Sequence, residues 1–291
     1  LSIRNNEDRF SAPQPDADPP AQTLQEEGTP SNPFSFVVPT EFVELPSRGE
    51  FYPTSHPLHN QETIEIRYMT AKEEDILTSQ SLLEKGLALD RLLANLIVDK
   101  RIKPEALLSG DRNAILIAAR KSGYGADYNT KVACPHCGES DTYFYDLENA
   151  EVVSSPNDEK LKELGIVRNE ENNFVVTLPN NPVELTFKLL TGKEENLLVR
   201  TAEKRKRKKQ GDHLITDQIK LMIVSINKYT DAPIIDKFAE TMTLPDARFL
   251  RDIYRKVTPA IDLRKEFVCD QCSHVDEIDF PFTTDFFWPQ Q

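Results

Sequence analysis

From Thr63 onward, apolar and polar positions fall into two alternating periods. Ile64, Ile66 and Tyr68 alternate with polar residues and predict a strand. Thr70-Ala71-Lys72-Glu73 has the hydroxyl-to-carboxylate spacing of a capping box. It opens a helix whose expected buried face is Ile76, Leu77, Leu82 and Leu83, with Gly86 as its interruption or end. Leu89, Leu92, Leu93, Leu96 and Ile97 recur at helical spacing and predict a second helix from Leu87 to about Ile102. A third runs from Asp111 to Ser122 and stops at Gly123. Short alternating segments, Tyr128–Ala133 and Asp141–Tyr145, then flank Cys134-Pro135-His136-Cys137-Gly138 as the arms of a hairpin.

The same order of patterns returns. Leu185, Phe187 and Leu189 alternate, and Thr191-Gly192-Lys193-Glu194 is a second capping box. The octapeptides beginning at Thr70 and Thr191 align without a gap. Helices are expected from Thr216 to Tyr229 and from Pro245 to Val257, the latter with proline in its first turn. Leu263–Val268 and Asp276–Phe280 flank a second cysteine turn, Cys269-Asp270-Gln271-Cys272. Asp111 precedes Cys134 by 23 positions and Asp246 precedes Cys269 by 23. The offset between the copies grows from 121 at Thr191 to 135 at Cys269, so the second copy carries about 14 more residues.

The expected class is therefore α+β: two tandem pseudo-duplicated strand–helix repeats, each ending in a cysteine hairpin. The first repeat covers residues 61–150 and the second 183–291. Between them, 151–182 is a Pro/Asn/Asp-rich connector with a small strand at Phe174-Val175-Val176. Residues 1–32 are rich in Pro, Ser, Asp, Glu and Gln, poor in large apolar side chains, and read as a disordered tail. Residues 33–60 mix aromatics with helix- and strand-breaking prolines, which predicts an extended arm. Phe34, Phe36, Phe42, Phe51 and Tyr52 are its candidate partner-binding residues; wrapping over its own domain is the alternative. The C-terminal Phe282, Phe286, Phe287 and Trp288 are expected to pack on the core or enter an interface.

Composition narrows the chemistry. With 291 residues, net charge −13 and pI near 5.0, general binding to nucleic acid or anionic membrane is disfavoured. No apolar run approaches a membrane span. The four cysteines all lie in the two C-x2-C turns, and Cys134, Cys137, Cys269 and Cys272 can close one tetrahedral site. Neither knuckle can do so alone. The expectation is one structural zinc per chain, a split zinc ribbon that joins the repeats. Iron suits the same thiolates, while four cysteines are few for a disulfide network and a hairpin is the wrong place for a helix-borne redox dithiol. His136 and His274 lie beside the knuckles and are kept outside the ligand set; His56 and His59 in the arm read as surface loop residues.

Lys204, Arg205, Lys206, Arg207, Lys208 and Lys209 form a basic run without interleaved aromatics. It reads as a solvated loop or helix end, as a contact for an acidic protein neighbour, or as a nucleic-acid patch. Phosphate-loop, dinucleotide, serine-hydrolase and zinc-protease motifs are all absent, and a site closed by four thiolates leaves no position for water, so no enzyme and no small-molecule substrate are expected.

Leu45-Pro46-Ser47-Arg48-Gly49-Glu50-Phe51-Tyr52-Pro53, followed by a strand and then Met69-Thr70-Ala71-Lys72-Glu73-Glu74-Asp75-Ile76-Leu77, resembles the baseplate hub proteins of contractile-tailed, T-even-type bacteriophages. A C-x2-C hairpin followed by an aromatic stretch, here Asp285-Phe286-Phe287, also occurs among them. The resemblance extends from about Phe42 to the C-terminus. It implies a structural component or assembly factor of the hub at the tail tip, made in the host cytoplasm and contacting other tail proteins. The alternative from residue chemistry is a zinc-ribbon nucleic-acid-binding or transcription-type protein.

Overall fold

Alternating stretches become short antiparallel pairs, and the helical stretches pack across them. The structure is a computed structural model that describes residues 38–209, 211, 213–279 and 284–287. β1 (Thr40–Glu44) pairs with β2 (Thr63–Arg67), Thr40 opposite Arg67. Next come α1 (Ala71–Thr78), α2 (Gln80–Leu83), α3 (Ala88–Leu96) and α4 (Ser109–Tyr124). β3 (Asp127–Ala133) and β4 (Ser140–Asp146) make the first cysteine hairpin. β5 (Glu151–Val153), α5 (Asp158–Glu163) and β6 (Ile166–Arg168) lead to β7 (Phe174–Thr177) and β8 (Glu184–Phe187). α6 (Gly192–Arg207) and α7 (Leu214–Met222) precede β9 (Ile223–Ile226), which completes an antiparallel sheet of order β6-β7-β8-β9. α8 (Ala232–Thr241), α9 (Leu244–Val257), β10 (Ala260–Asp262) and the second hairpin, β11 (Arg264–Val268) with β12 (Val275–Asp279), follow.

Several boundaries differ from the sequence expectation. The predicted helix over 87–102 stops at Leu96, because Ile97 bridges to Ile66 and Val98 donates its N–H to the Glu65 carbonyl. Lys100 covers the freed helix end, its Nζ donating to the carbonyls of Ala94, Asn95 and Ile97. The helix expected over 216–229 likewise ends at Met222 and yields β9. In both places an apolar helix tail is drawn into a strand-like pairing.

The arm is not simply extended. Thr40–Glu44 is a strand, and Leu45 to Asn60 folds through successive turns onto the helices. Leu45, Ser47, Tyr52 and Leu58 are buried. Gly49 has φ 72°, and a Cβ there would collide with the backbone of Leu58, Asn60 and Gln61, so only glycine closes this loop. Phe34 and Phe36 lie outside the described residues.

Corresponding elements carry corresponding contacts. In the first capping box, Thr70 donates its N–H and hydroxyl to Glu73, which also pairs with Arg67 at 2.7 Å. In the second, Thr191 donates to Glu194 in the same way, and Glu194 pairs with Lys188 at 2.7 Å. Burial pushes Glu73 and Glu194 up, but these hydrogen bonds and cations outweigh it and hold both below the usual carboxylate value.

The two parts of the chain are stitched by β5 with β10, and by α4 against α6. Ser109 donates its N–H to Leu190 O, and Gly192 donates to Leu107 O at 2.9 Å. Gly110 lies so close to the Pro259 carbonyl that a Cβ could not fit. At the far end, Phe286 and Phe287 are buried as expected, each contributing about 2–3 kcal/mol of apolar burial, while Phe282 and Trp288 lie outside the described residues. Arg120, itself buried, donates to the carbonyls of Phe286, Gly125 and Asp127. Phe286 meets Tyr128 edge-on at 5.0 Å.

Candidate metal centre

Each cysteine turn is built by its own backbone. In the first, Cys134 donates to Glu139 O and Gly138 to Cys134 O; in the second, Cys269 donates to His274 O and Ser273 to Cys269 O. The fourth residue after the leading cysteine has positive φ in both, 75° at Gly138 and 54° at Ser273. This left-handed step reverses the chain and points both sulfurs of a turn to one side.

The two turns then face each other. The four Sγ atoms of Cys134, Cys137, Cys269 and Cys272 all lie within 4.8 Å of one another. Two pairs cross between the hairpins, Cys134 to Cys272 and Cys137 to Cys269, each at 3.7 Å. Thiolates about 2.3 Å from a common tetrahedral centre stand about 3.8 Å apart. These separations therefore fit a shared metal ion and are too long for a disulfide.

The surroundings hold that arrangement. Tyr143 from the first hairpin donates its hydroxyl to Val268 O of the second at 2.7 Å, and its ring packs on Phe267 at 4.7 Å. His136 and His274 stack at 5.2 Å across the junction. Neither belongs to the four-sulfur cluster.

The electrostatics of the bare thiols are uneven. Burial raises Cys134, but backbone N–H groups of Cys137 and His136 hydrogen-bond its sulfur and hold it at about 6. The backbone N–H of His274 lowers Cys272, yet burial and the three nearby thiols push it up to about 12. Cys137 is raised too, despite the N–H of Glu139. Four thiolates gathered without a counter-charge repel one another, and a dication removes that penalty.

The other candidate residues lie elsewhere. Lys204 to Arg207 form the last turn of α6, and Lys208 and Lys209 follow it. Phe42 is 72 % exposed on β1, whereas Phe51 is half-buried against Phe174 at 5.7 Å. Tyr52, a candidate either for partner contact or for wrapping over its own domain, is turned inward. Its hydroxyl donates to buried Asp111 Oδ2 at 2.7 Å and accepts from Leu108 N–H at 3.0 Å. No sequence signal joins the two: Tyr52 and Asp111 are a donor and an acceptor in polar stretches too far apart for any spacing to connect them.

Among the described residues no helix is long and apolar enough to cross a membrane. No curated protein and no solved structure matches the chain. Residues 39–288 match the family model for T4 bacteriophage base plate protein, a span that begins one residue before β1 and takes in both capping boxes and both cysteine hairpins. The chain belongs to the T4 bacteriophage base plate protein family.

Proposed function

We propose that this chain is a structural subunit or assembly factor of the baseplate hub in a contractile phage tail, and that one structural zinc joins its two cysteine hairpins. The observation that carries the zinc is the pair of 3.7 Å sulfur separations running between hairpins whose cysteines are more than a hundred residues apart in the chain. A metal there closes a very long loop and couples the folding of both parts. With four thiolate ligands and no open position, its role is to hold structure rather than to activate water. Tetrahedral sulfur also suits iron, and metal analysis separates the two.

The same proposal takes the chain as two copies of one unit: strand pair, capped helix, long helix, cysteine hairpin. The matching caps at Thr70 and Thr191 and the matching cation–Glu pairs support it. The units then begin at β1 and β7 rather than at residues 61 and 183, because β2 and β8 each need the preceding strand as partner. Other tail proteins are the partners, met by the aromatic positions of the arm, of which exposed Phe42 and half-buried Phe51 are the ones available among the described residues. The chain acts without catalysis, in the virion tail after synthesis in the host cytoplasm. The family match does not favour the nucleic-acid-binding alternative.

Purified full-length protein should carry roughly one zinc per chain. Cys134→Ser and Cys269→Ser, one from each hairpin, should lose the metal to the same degree and lower the unfolding temperature together. Two metals per chain, or metal retained by either variant at full stability, would overturn the shared site. Loss of tail assembly on complementation with these variants tests the hub role.

A further inference from the structure

The basic run is not a loop but the end of α6, and its placement is costly. Four of its cations fill the last helical turn, where one or two would satisfy the carbonyl end of the helix dipole. Lys208, the C-cap, donates its N–H to Lys204 O and so stands one helical turn from Lys204, where like charges repel. Arg205 is paired with Asp217, but no carboxylate among the described residues forms an ion pair with Lys204, Lys206, Arg207, Lys208 or Lys209. This positive cluster sits on a chain of net charge −13.

Beside it lies an apolar groove. α6 has 16 residues, yet Gly192 alone among them is buried. Glu195, Leu198, Val199, Ala202 and Lys206 recur at helical spacing along one wall of a groove of about 940 Å³. Leu89 from α3, Leu116 from α4 and Leu214 from α7 add apolar surface, between polar side chains such as Asn113 and Gln218. Val199 and Leu214 are about half exposed, as are Leu197 and Ile215 next to them. A groove of this size accepts the side chains of one helix face. Two of its acidic side chains are already engaged: Asp90 holds Arg112 at 2.8 Å and Asn196 at 2.6 Å, and Glu195 lies 3.8 Å from Arg112. Glu203 on the groove wall forms no ion pair among the described residues, but it is outnumbered by the five unpaired cations that follow it, Lys204, Lys206, Arg207, Lys208 and Lys209.

We propose that the α6–α7 groove docks an acidic amphipathic helix of a neighbouring protein, its apolar face in the groove and its carboxylates against Lys204–Lys209. Charge complementarity selects an acidic partner, and the apolar floor without aromatic lining selects protein over nucleic acid. The inference deepens the assembly role proposed above and rests on that role only for the source of the partner.

The test uses full-length, metal-loaded protein and a labelled synthetic helix as long as α6, with leucines on one face and glutamates on the other. Fluorescence anisotropy should show saturable binding that weakens with salt. The triple variant Lys206→Glu, Arg207→Glu, Lys208→Glu and, separately, the exposed-site variants Val199→Asp and Leu214→Asp should each weaken it roughly tenfold or more, with metal content unchanged. A scrambled peptide of the same composition binding equally well, duplex DNA binding in preference, or no binding of the amphipathic helix overturns the proposal. So does self-association of the chain that the Val199→Asp variant abolishes, which would make a second copy the occupant. Metal content read on the same samples keeps failure of the docking site distinct from failure of the zinc centre.

Discussion

At the start of α4, Asp111 accepts the N–H of Ser47 at 3.0 Å, the Ser47 hydroxyl at 2.6 Å and the Tyr52 hydroxyl at 2.7 Å. At the start of α9, Asp246 accepts the N–H of Asn180 at 2.9 Å and the Thr243 hydroxyl at 2.8 Å. Ser47 follows Leu45-Pro46 after β1, and Asn180 follows Leu178-Pro179 after β7. In both places a buried carboxylate in the first turn of a helix holds the segment that leaves a strand. The hydroxyl differs. Thr243 caps its own helix and accepts the N–H of Asp246, whereas Leu108 at the equivalent cap has no side-chain oxygen; there the hydroxyl that donates to the Asp is that of Tyr52, which reaches in from a distant loop and accepts the N–H of Leu108 itself.

What repeats, then, is the set of polar demands rather than the side chains that meet them. A helix start leaves N–H groups unpaired, and burial makes that costly whichever residue answers. The arm of the first part answers with Tyr52, and this draws the whole loop from Leu45 to Leu58 into the core. The second part answers locally and needs no such loop.

Removing the carboxylates breaks the comparison most severely. Asp111→Ala strips the acceptor from three donors in a fully buried site and should cost about 3–4 kcal/mol. Asp246→Ala frees fewer donors and should cost about 2 kcal/mol. Denaturant midpoints of the two variants measure the difference. Equal losses would mean that the long-range hydroxyl adds nothing beyond what the local cap supplies.

Tyr52→Phe sharpens the same point with a smaller change. It leaves Leu108 N–H without its acceptor and should cost about 1–3 kcal/mol. It also changes the alkaline limb of stability. Burial, then the charge of Asp111 and its hydrogen bond, raise Tyr52 well above the usual 10.0. A folded-state value above the unfolded one stabilises fully below about pH 10 and is lost as pH rises beyond it. Wild type should therefore lose stability above pH 10 more steeply than the Phe variant in thermal scans. Parallel slopes would remove Tyr52 from the account.

These contacts also mark where the sequence could and could not be read. The caps at Thr70 and Thr191 and the cysteine turns are local, with every determinant inside a few residues, and they stood at the expected positions. The aromatic end at Phe286 and Phe287 announced itself by composition and is buried. Periodicity overran α3 because Ile97 and Val98 keep the apolar rhythm while pairing with β2. The prolines of the arm forbid regular structure and predict an extended path, but the turns anchored by Ser47, Gly49 and Tyr52 depend on Asp111, too distant in the chain for local patterning to reach. α8 passed unseen, its Pro233 sitting at a first-turn position where proline is tolerated and not a breaker. The thiolates could be named, but their meeting across more than a hundred residues could only be expected from the arithmetic of four ligands.

The smallest effect lies in the candidate metal centre, at the left-handed step that both cysteine turns share. Gly138 adopts φ 75° with no atom within 4 Å of where a Cβ would stand, so Gly138→Ala meets only the backbone cost of about 1 kcal/mol. Ser273 already bears that cost at φ 54°, with an exposed side chain. Ser273→Gly should recover it less the extra chain entropy that glycine brings to the unfolded state, a net gain of about 0.5 kcal/mol. Chelator competition and unfolding temperature, measured on both variants, should move in opposite directions. If Ser273→Gly instead weakens the site as Gly138→Ala does, the serine side chain has a part in the second turn that the first performs without it, and the two hairpins are not interchangeable halves of one centre.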